Sequence, residues 1–184
     1  MQFSPKNYEK IIAFARNTVQ NRVICKEIDE KCKRQIRAIE RVSALNRDIY
    51  LQAIDIESTV RVFLCACYVV SLKNNKILNF SISGSAFGYT DKNLLFAVLI
   101  EIINATRNEI KVKIENDTIK ITAKDCKPGG YFKKLMLKHK ISYFALNGNL
   151  CVCYPFKKTE YQNFRMPDII DLLQNPLSIV NLWI

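Results

Sequence analysis

Between Pro5 and Gly84 the chain contains neither glycine nor proline. These are the two strongest helix breakers, so this stretch is free to be helical over most of its course. Ser4-Pro5 opens a helix, with Ser as N-cap and Pro at the first helical position. Apolar residues then recur at Tyr8, Ile11, Ile12, Ala15, Val19 and Val23 with helical spacing. A second stripe runs through Ile28, Cys32, Ile36, Ile39, Val42, Leu45 and Ile49 at intervals near those of a coiled-coil seam. Lys31, Lys33, Arg34, Arg37, Arg41 and Arg47 fall on the opposite face. Residues 5–49 therefore read as two antiparallel helices with a turn near residues 27–30. One long helix is the alternative, because no strong turn residue marks the bend. Such a narrow seam cannot bury itself alone and must pack on a second copy or on the rest of the chain.

Beyond residue 50 the punctuation changes. Asp55 is placed as the N-cap of a helix over 56–72, and KNNK follows as a turn. ILNFSIS alternates as a strand over 77–83, and 84–89 reads as a loop. Thr90 or Asp91 caps a helix over 92–107. IKVKIEN and TIKITAKD pair as a hairpin through Asn116-Asp117. After CKPGG come a helix over 131–140 and a second hairpin, ISYFAL and NLCVCYPF, around Asn147-Gly148. A short helix over 167–174 is stopped by Asn175-Pro176, and the apolar LSIVNLWI ends the sequence. The expected class is α+β: an N-terminal antiparallel helical hairpin (1–50), then a two-layer α/β sandwich with a mixed sheet and helices on one face (51–160), then a tail (161–184). The apolar tail is expected to join the core or a self-association surface.

Composition narrows the function. With 49% hydrophobic residues, five glycines and five prolines in 184 residues, the chain can form a core and is not low-complexity. A net charge of +11 suits nucleic acid or an acidic protein partner. The basic residues are dispersed, however, and no RNA-recognition or zinc-finger pattern is present. Seven cysteines, an odd number without a dense framework, read as reduced thiols. Two pairs are C-x-C, Cys65/Cys67 and Cys151/Cys153; such a pair shares a face in a strand and diverges in a helix. The N-terminus is polar, and apolar runs such as VFLCACYVVSL are too short to span a bilayer, so a cytoplasmic location is expected.

In order and spacing, residues 55–157 resemble the histidine-kinase-like ATPase superfamily, the GHKL fold of sensor kinases and gyrase. AIDIESTVRVFLCACYVVSLKNNKILNFSIS is similar to the family's opening helix and strand. NLLFAVLIEIINAT resembles the helix that carries the N-box, IKVKIENDTIKITAKD the hairpin before the first glycine box, and FKKLMLKHKISYFALNGNLCVCYPF the closing helix and hairpin.

The resemblance implies a nucleotide pocket and also marks departures from it. In the family's N-box helix a polar residue binds Mg²⁺, and in its ATPases an acid one turn earlier activates water. Placing Glu101 at the acid position puts Ala105 at the polar one, and placing Asn104 at the polar position puts Ile100 at the acid one. The first glycine box, Asp-x-Gly-x-Gly, matches Asp125 and Gly129 but has Lys127 at the first glycine. An ordinary Pro-Gly-Gly turn is the competing reading of that segment. No Gly-rich lid separates Gly130 from the closing helix. FARNTVQNRV resembles the phospho-acceptor box with Gln20 at the histidine position, and His139, the sole histidine, lies in the closing helix as a structural residue.

The plan is similar to the sporulation initiation phosphotransferase B family, whose members dimerise through the hairpin and dock a receiver domain. The expectation is thus a non-catalytic signalling protein acting through protein contacts, a homodimer with a response-regulator or histidine-kinase partner. Gln20, Lys33, Arg34, Arg37 and Arg41 are the candidate partner-binding residues. No cofactor is expected. The alternatives are weak binding of ATP and magnesium through a remnant pocket of Glu101, Asn104, Asp125 and Gly129, or a basic nucleic-acid-binding regulator.

Overall fold

A computed structural model describes residues 30–73, 77, 79–106, 109–160, 169–174 and 179–180. The first helix of the expected hairpin, Gln20 and most of the apolar tail lie outside the described residues. The elements are α1 (Glu30–Asn46), β1 (Gln52–Asp55), α2 (Ile56–Lys73), β2 (Asn79–Ser83), β3 (Phe87–Thr90), α3 (Lys92–Ala105), β4 (Glu109–Glu115), β5 (Thr118–Ala123), α4 (Gly130–Lys138), β6 (Ser142–Leu146), β7 (Asn149–Pro155), β8 (Lys157–Lys158) and α5 (Ile169–Gln174). The class is α+β, as the sequence pattern implies.

The main sheet has the order β2-β4-β5-β7-β6. β2 runs parallel to β4, and the remaining pairs are antiparallel. Alternation decides which face is covered. Ile110, Val112 and Ile114 of β4, Ile119, Ile121 and Ala123 of β5, and Leu150, Val152 and Tyr154 of β7 are all buried. Their neighbours Lys111, Lys113, Lys120 and Cys153 are exposed on the other face. Period-two patterning thus gives a sheet with one dry and one open face. Asn116 and Asn147 hold the two hairpin turns at φ 50°, a conformation Asn tolerates better than most residues.

α3 is buried at every position from Leu94 to Ile103. A helix apolar all round belongs at the centre of a domain. Phe96 stacks on Phe63 of α2 at 4.0 Å between ring centres. Fully burying each of its large aliphatic side chains contributes about 1.5–3 kcal/mol. Asp91 caps α3, accepting from the Leu94 amide at 2.9 Å. Asp55 caps α2, accepting from the Ser58 amide at 3.0 Å and from its hydroxyl at 2.8 Å.

The structure corrects several readings. There is a second sheet, three-stranded, in the order β1-β3-β8. Residues 87–89, read as loop, and Thr90, read as a possible cap, form its central strand, pairing antiparallel with β1 and β8. Four residues containing a glycine carry no readable alternation, and both partners are remote in sequence. Gly88 is needed there because a Cβ would fall 2.5 Å from the Phe156 ring and 2.9 Å from the Lys157 carbonyl. α3 also ends at Ala105 rather than residue 107, and β2 begins at Asn79 rather than residue 77.

Candidate functional site

Of the residues singled out by sequence, Glu101 and Asn104 lie on the C-terminal half of α3, and Asp125 and Gly129 on the segment 124–129 between β5 and α4. Glu101 is 7% exposed on α3. Its carboxylate accepts from the Arg41 guanidinium of α1 at 3.0 Å. Arg41 also lies over the Tyr131 ring, 5.0 Å from its centre, and the Tyr131 hydroxyl donates to the Arg41 carbonyl at 3.3 Å. Burial, reinforced by the nearby Glu101 carboxylate and opposed by Arg41, pushes the Tyr131 hydroxyl up to about 12. Arg41, expected on a partner face, pairs within the chain with Glu101 and Tyr131 while its side chain stays 43% exposed.

Asn104 is exposed, one turn beyond Glu101. The segment 124–129 is tied to the end of α3 beside it. The Thr106 hydroxyl donates to the Lys124 carbonyl at 2.7 Å, and the Lys127 amide to the Ala105 carbonyl at 3.2 Å. Asp125 is exposed at φ 48°. It sits beside Gly148, and the Cys126 amide donates to the Gly148 carbonyl at 2.8 Å. Gly129 is the N-cap of α4, and a Cβ added at Gly129 or Gly130 meets nothing within 4 Å. Asn104 and the glycine-box segment are thus neighbours at the end of α3, while Glu101 faces α1. The connection from β5 to α4 is residues 124–129 only.

Lys33 and Arg37 are half-buried on α1 and Arg34 is exposed. A concavity of about 220 Å³ lies on the open sheet face, lined in part by Lys111, Thr122, Phe144 and Cys151; none of Glu101, Asn104, Asp125 and Gly129 borders it. Among the described residues no group of three or more His, Cys, Asp or Glu side chains could hold a metal. No helix among them is long and apolar enough to cross a membrane.

Several residues that hold α1 in place were not legible as site residues. Arg47 pairs with the buried Asp91 at 2.5 Å. The Tyr50 amide donates to the second Asp91 oxygen at 3.0 Å, and the Tyr154 hydroxyl donates to the Asp91 carbonyl at 3.0 Å. The His139 Nε2–H donates to the Ala44 carbonyl at 2.9 Å. The lone histidine thus sits against α1. Only the N-cap pattern pointed to Asp91. Its arginine partner is 44 residues away.

Compared by sequence, the chain matches no protein-family model and no curated protein. Compared by structure, it is similar to the Acinetobacter baumannii histidine kinase AdeS, with TM-score 0.51 and 13% identity over 84% of this chain and 97% of that one. The cytoplasmic segment of histidine kinase QseC aligns at TM-score 0.46 and 10% identity over 72% of this chain and 98% of that one. Histidine kinase ThkA, solved in complex with the response regulator protein TrrA, aligns at TM-score 0.46 and 11% identity over 84% of this chain and 58% of that one. The fold is that of histidine-kinase-like ATPase domains.

Proposed function

We propose that this is a non-catalytic signalling protein, a histidine-kinase-like chain that works through protein contacts in two-component or sporulation-type signalling. The observation that carries the reading is the ion pair between Glu101 and Arg41. Glu101 is the residue closest in position to the family's water-activating acid, and its charge is engaged by the chain's own helix. One of its carboxylate oxygens is taken up by that guanidinium at 3.0 Å, so it is committed to holding the helix rather than to orienting a water. The short 124–129 connection supports the same view, since it leaves no span for a loop whose amides would wrap a triphosphate. Gln20 at the phospho-acceptor position argues against phosphotransfer from this chain. The partner is an acidic receiver or kinase surface, met by Lys33, Arg34 and Arg37 on α1, and the hairpin is the dimerisation element.

Isothermal titration of Mg-ATP and Mg-ADP tests this reading, with Asp125→Asn alongside. The expected result is no heat at millimolar nucleotide. Saturable binding that Asp125→Asn abolishes would overturn it in favour of a working nucleotide pocket.

A further inference from the structure

The two C-x-C pairs behave differently. On α2, consecutive odd positions point about 200° apart around the helix. Cys67 is fully buried there and Cys65 half-buried. On β7, Cys151 and Cys153 share the open face of the main sheet, half-buried and exposed respectively. The register sets Thr122 and Phe144 on either side of Cys151, and Lys120 and Ser142 on either side of Cys153. Lys120 thus stands directly across from Cys153 and diagonally from Cys151 on that face. Cys151, Thr122 and Phe144 also border the 220 Å³ concavity.

A disulfide does not fit this placement. Same-face residues on a strand lie about 6.8 Å apart at Cα, with nearly parallel Cα–Cβ bonds. A disulfide needs Cβ atoms about 3.5–4.5 Å apart. β7 is paired on both sides, so closing that gap would break ladders to β5 and β6. Two metal–thiolate bonds of about 2.3 Å laid end to end span about 4.6 Å, a separation that leaning side chains reach without moving the backbone. Zinc is poorly served, because it takes four ligands and no third His, Cys, Asp or Glu joins the pair among the described residues. A soft monovalent ion content with two thiolates is well served.

We propose that Cys151 and Cys153 form a two-coordinate site for a soft, thiophilic monovalent cation of the copper(I) class, with Lys120 offsetting its charge. Binding replaces two thiol protons with two S–Cu bonds. Two protons leave to solvent, the bis-thiolate complex carries one net negative charge, and copper stays in the +1 state throughout.

The test is anaerobic titration of the reduced full-length chain with copper(I) against a chromophoric copper(I) chelator. The expected result is one copper per chain and two protons released. Cys151→Ser and Cys153→Ser each lower affinity by at least tenfold, and Cys65→Ser does not. Lys120→Met, which leaves both thiols, weakens binding several-fold and confirms the placement without removing a ligand. Far-ultraviolet circular dichroism of each variant checks that the sheet is intact. Copper retained by the folded double serine variant overturns the proposal, as does failure of the wild type to compete with the chelator. So does ready formation of a Cys151–Cys153 disulfide in glutathione buffer, which would refute the strand-spacing argument.

Discussion

Replacing Asp91 by alanine removes three interactions at once, and the structure allows the cost to be apportioned. The side chain caps α3 through the Leu94 amide, a term worth about 1 kcal/mol. It accepts from the Tyr50 amide as a charged acceptor, worth about 1.5–3 kcal/mol. It pairs with Arg47, whose side chain is 29% exposed, so that screening limits this part to about 1 kcal/mol. The sum is about 4 kcal/mol, a large part of the roughly 5–15 kcal/mol that holds a domain together. Asp91→Asn separates the contributions, because asparagine is an equally good N-cap but carries no charge. It is expected to keep the capping share of about 1 kcal/mol and to lose the charge-dependent remainder, a cost of about 3 kcal/mol against about 4 for alanine. Urea unfolding followed by circular dichroism measures both, with the slope unchanged and the midpoint lowered. An alanine variant within about 1 kcal/mol of wild type would refute the assignment of Asp91 as the junction between α1 and the sandwich. Equal costs for Asn and Ala would refute the capping share.

Three further outcomes are expected. Arg41→Ala strands the buried Glu101 carboxylate and costs about 2 kcal/mol, most of which the Arg41→Ala/Glu101→Gln double variant recovers; additive losses in this cycle would show that the pair is not coupled. Gly84→Ala places a Cβ 2.1 Å from the Ile114 carbonyl oxygen at φ +81° and costs about 3 kcal/mol, so an unshifted urea midpoint would contradict the close approach of that turn to β4. The raised value of Tyr131, about 12 against 10, means the fold favours the neutral hydroxyl. Its stabilising contribution is complete below pH 10 and is lost as pH rises towards 12. Absorbance titration of tyrosinate should therefore lose one late-ionising group in Tyr131→Phe, and an unchanged alkaline limb would disprove the Arg41–Tyr131–Glu101 arrangement.

What could be read from the amino-acid order is what local physics enforces. The Asn116-Asp117 and Asn147-Gly148 turns stand between alternating runs, so both hairpins were legible. Asp55 and Asp91 announced their helices, because an acidic N-cap satisfies amides only two or three residues away. The run from Leu94 to Ile103, apolar except for Glu101, was legible as a helix, and its burial all round followed from packing. The order of these pieces was enough to point to a kinase-like fold.

Tertiary structure decided whatever depends on partners remote in sequence. The small sheet joins β1, β3 and β8, the last two about 70 residues apart along the chain and none long enough to show a period. Glu101 and Asn104 lie three residues apart, yet one is buried against Arg41 and the other is exposed. Arg41 sat on an apparently basic outer face until α1 packed on α4 and turned it onto Tyr131. Likewise both C-x-C pairs look alike as text, and only strand against helix separates a shared face from a divergent one. Hairpins, caps and helical stripes are set by neighbours within a few residues, so the sequence carries them openly. Ion pairs between elements depend on how those elements dock, and docking is chosen by the summed burial of many apolar side chains rather than by any local signal.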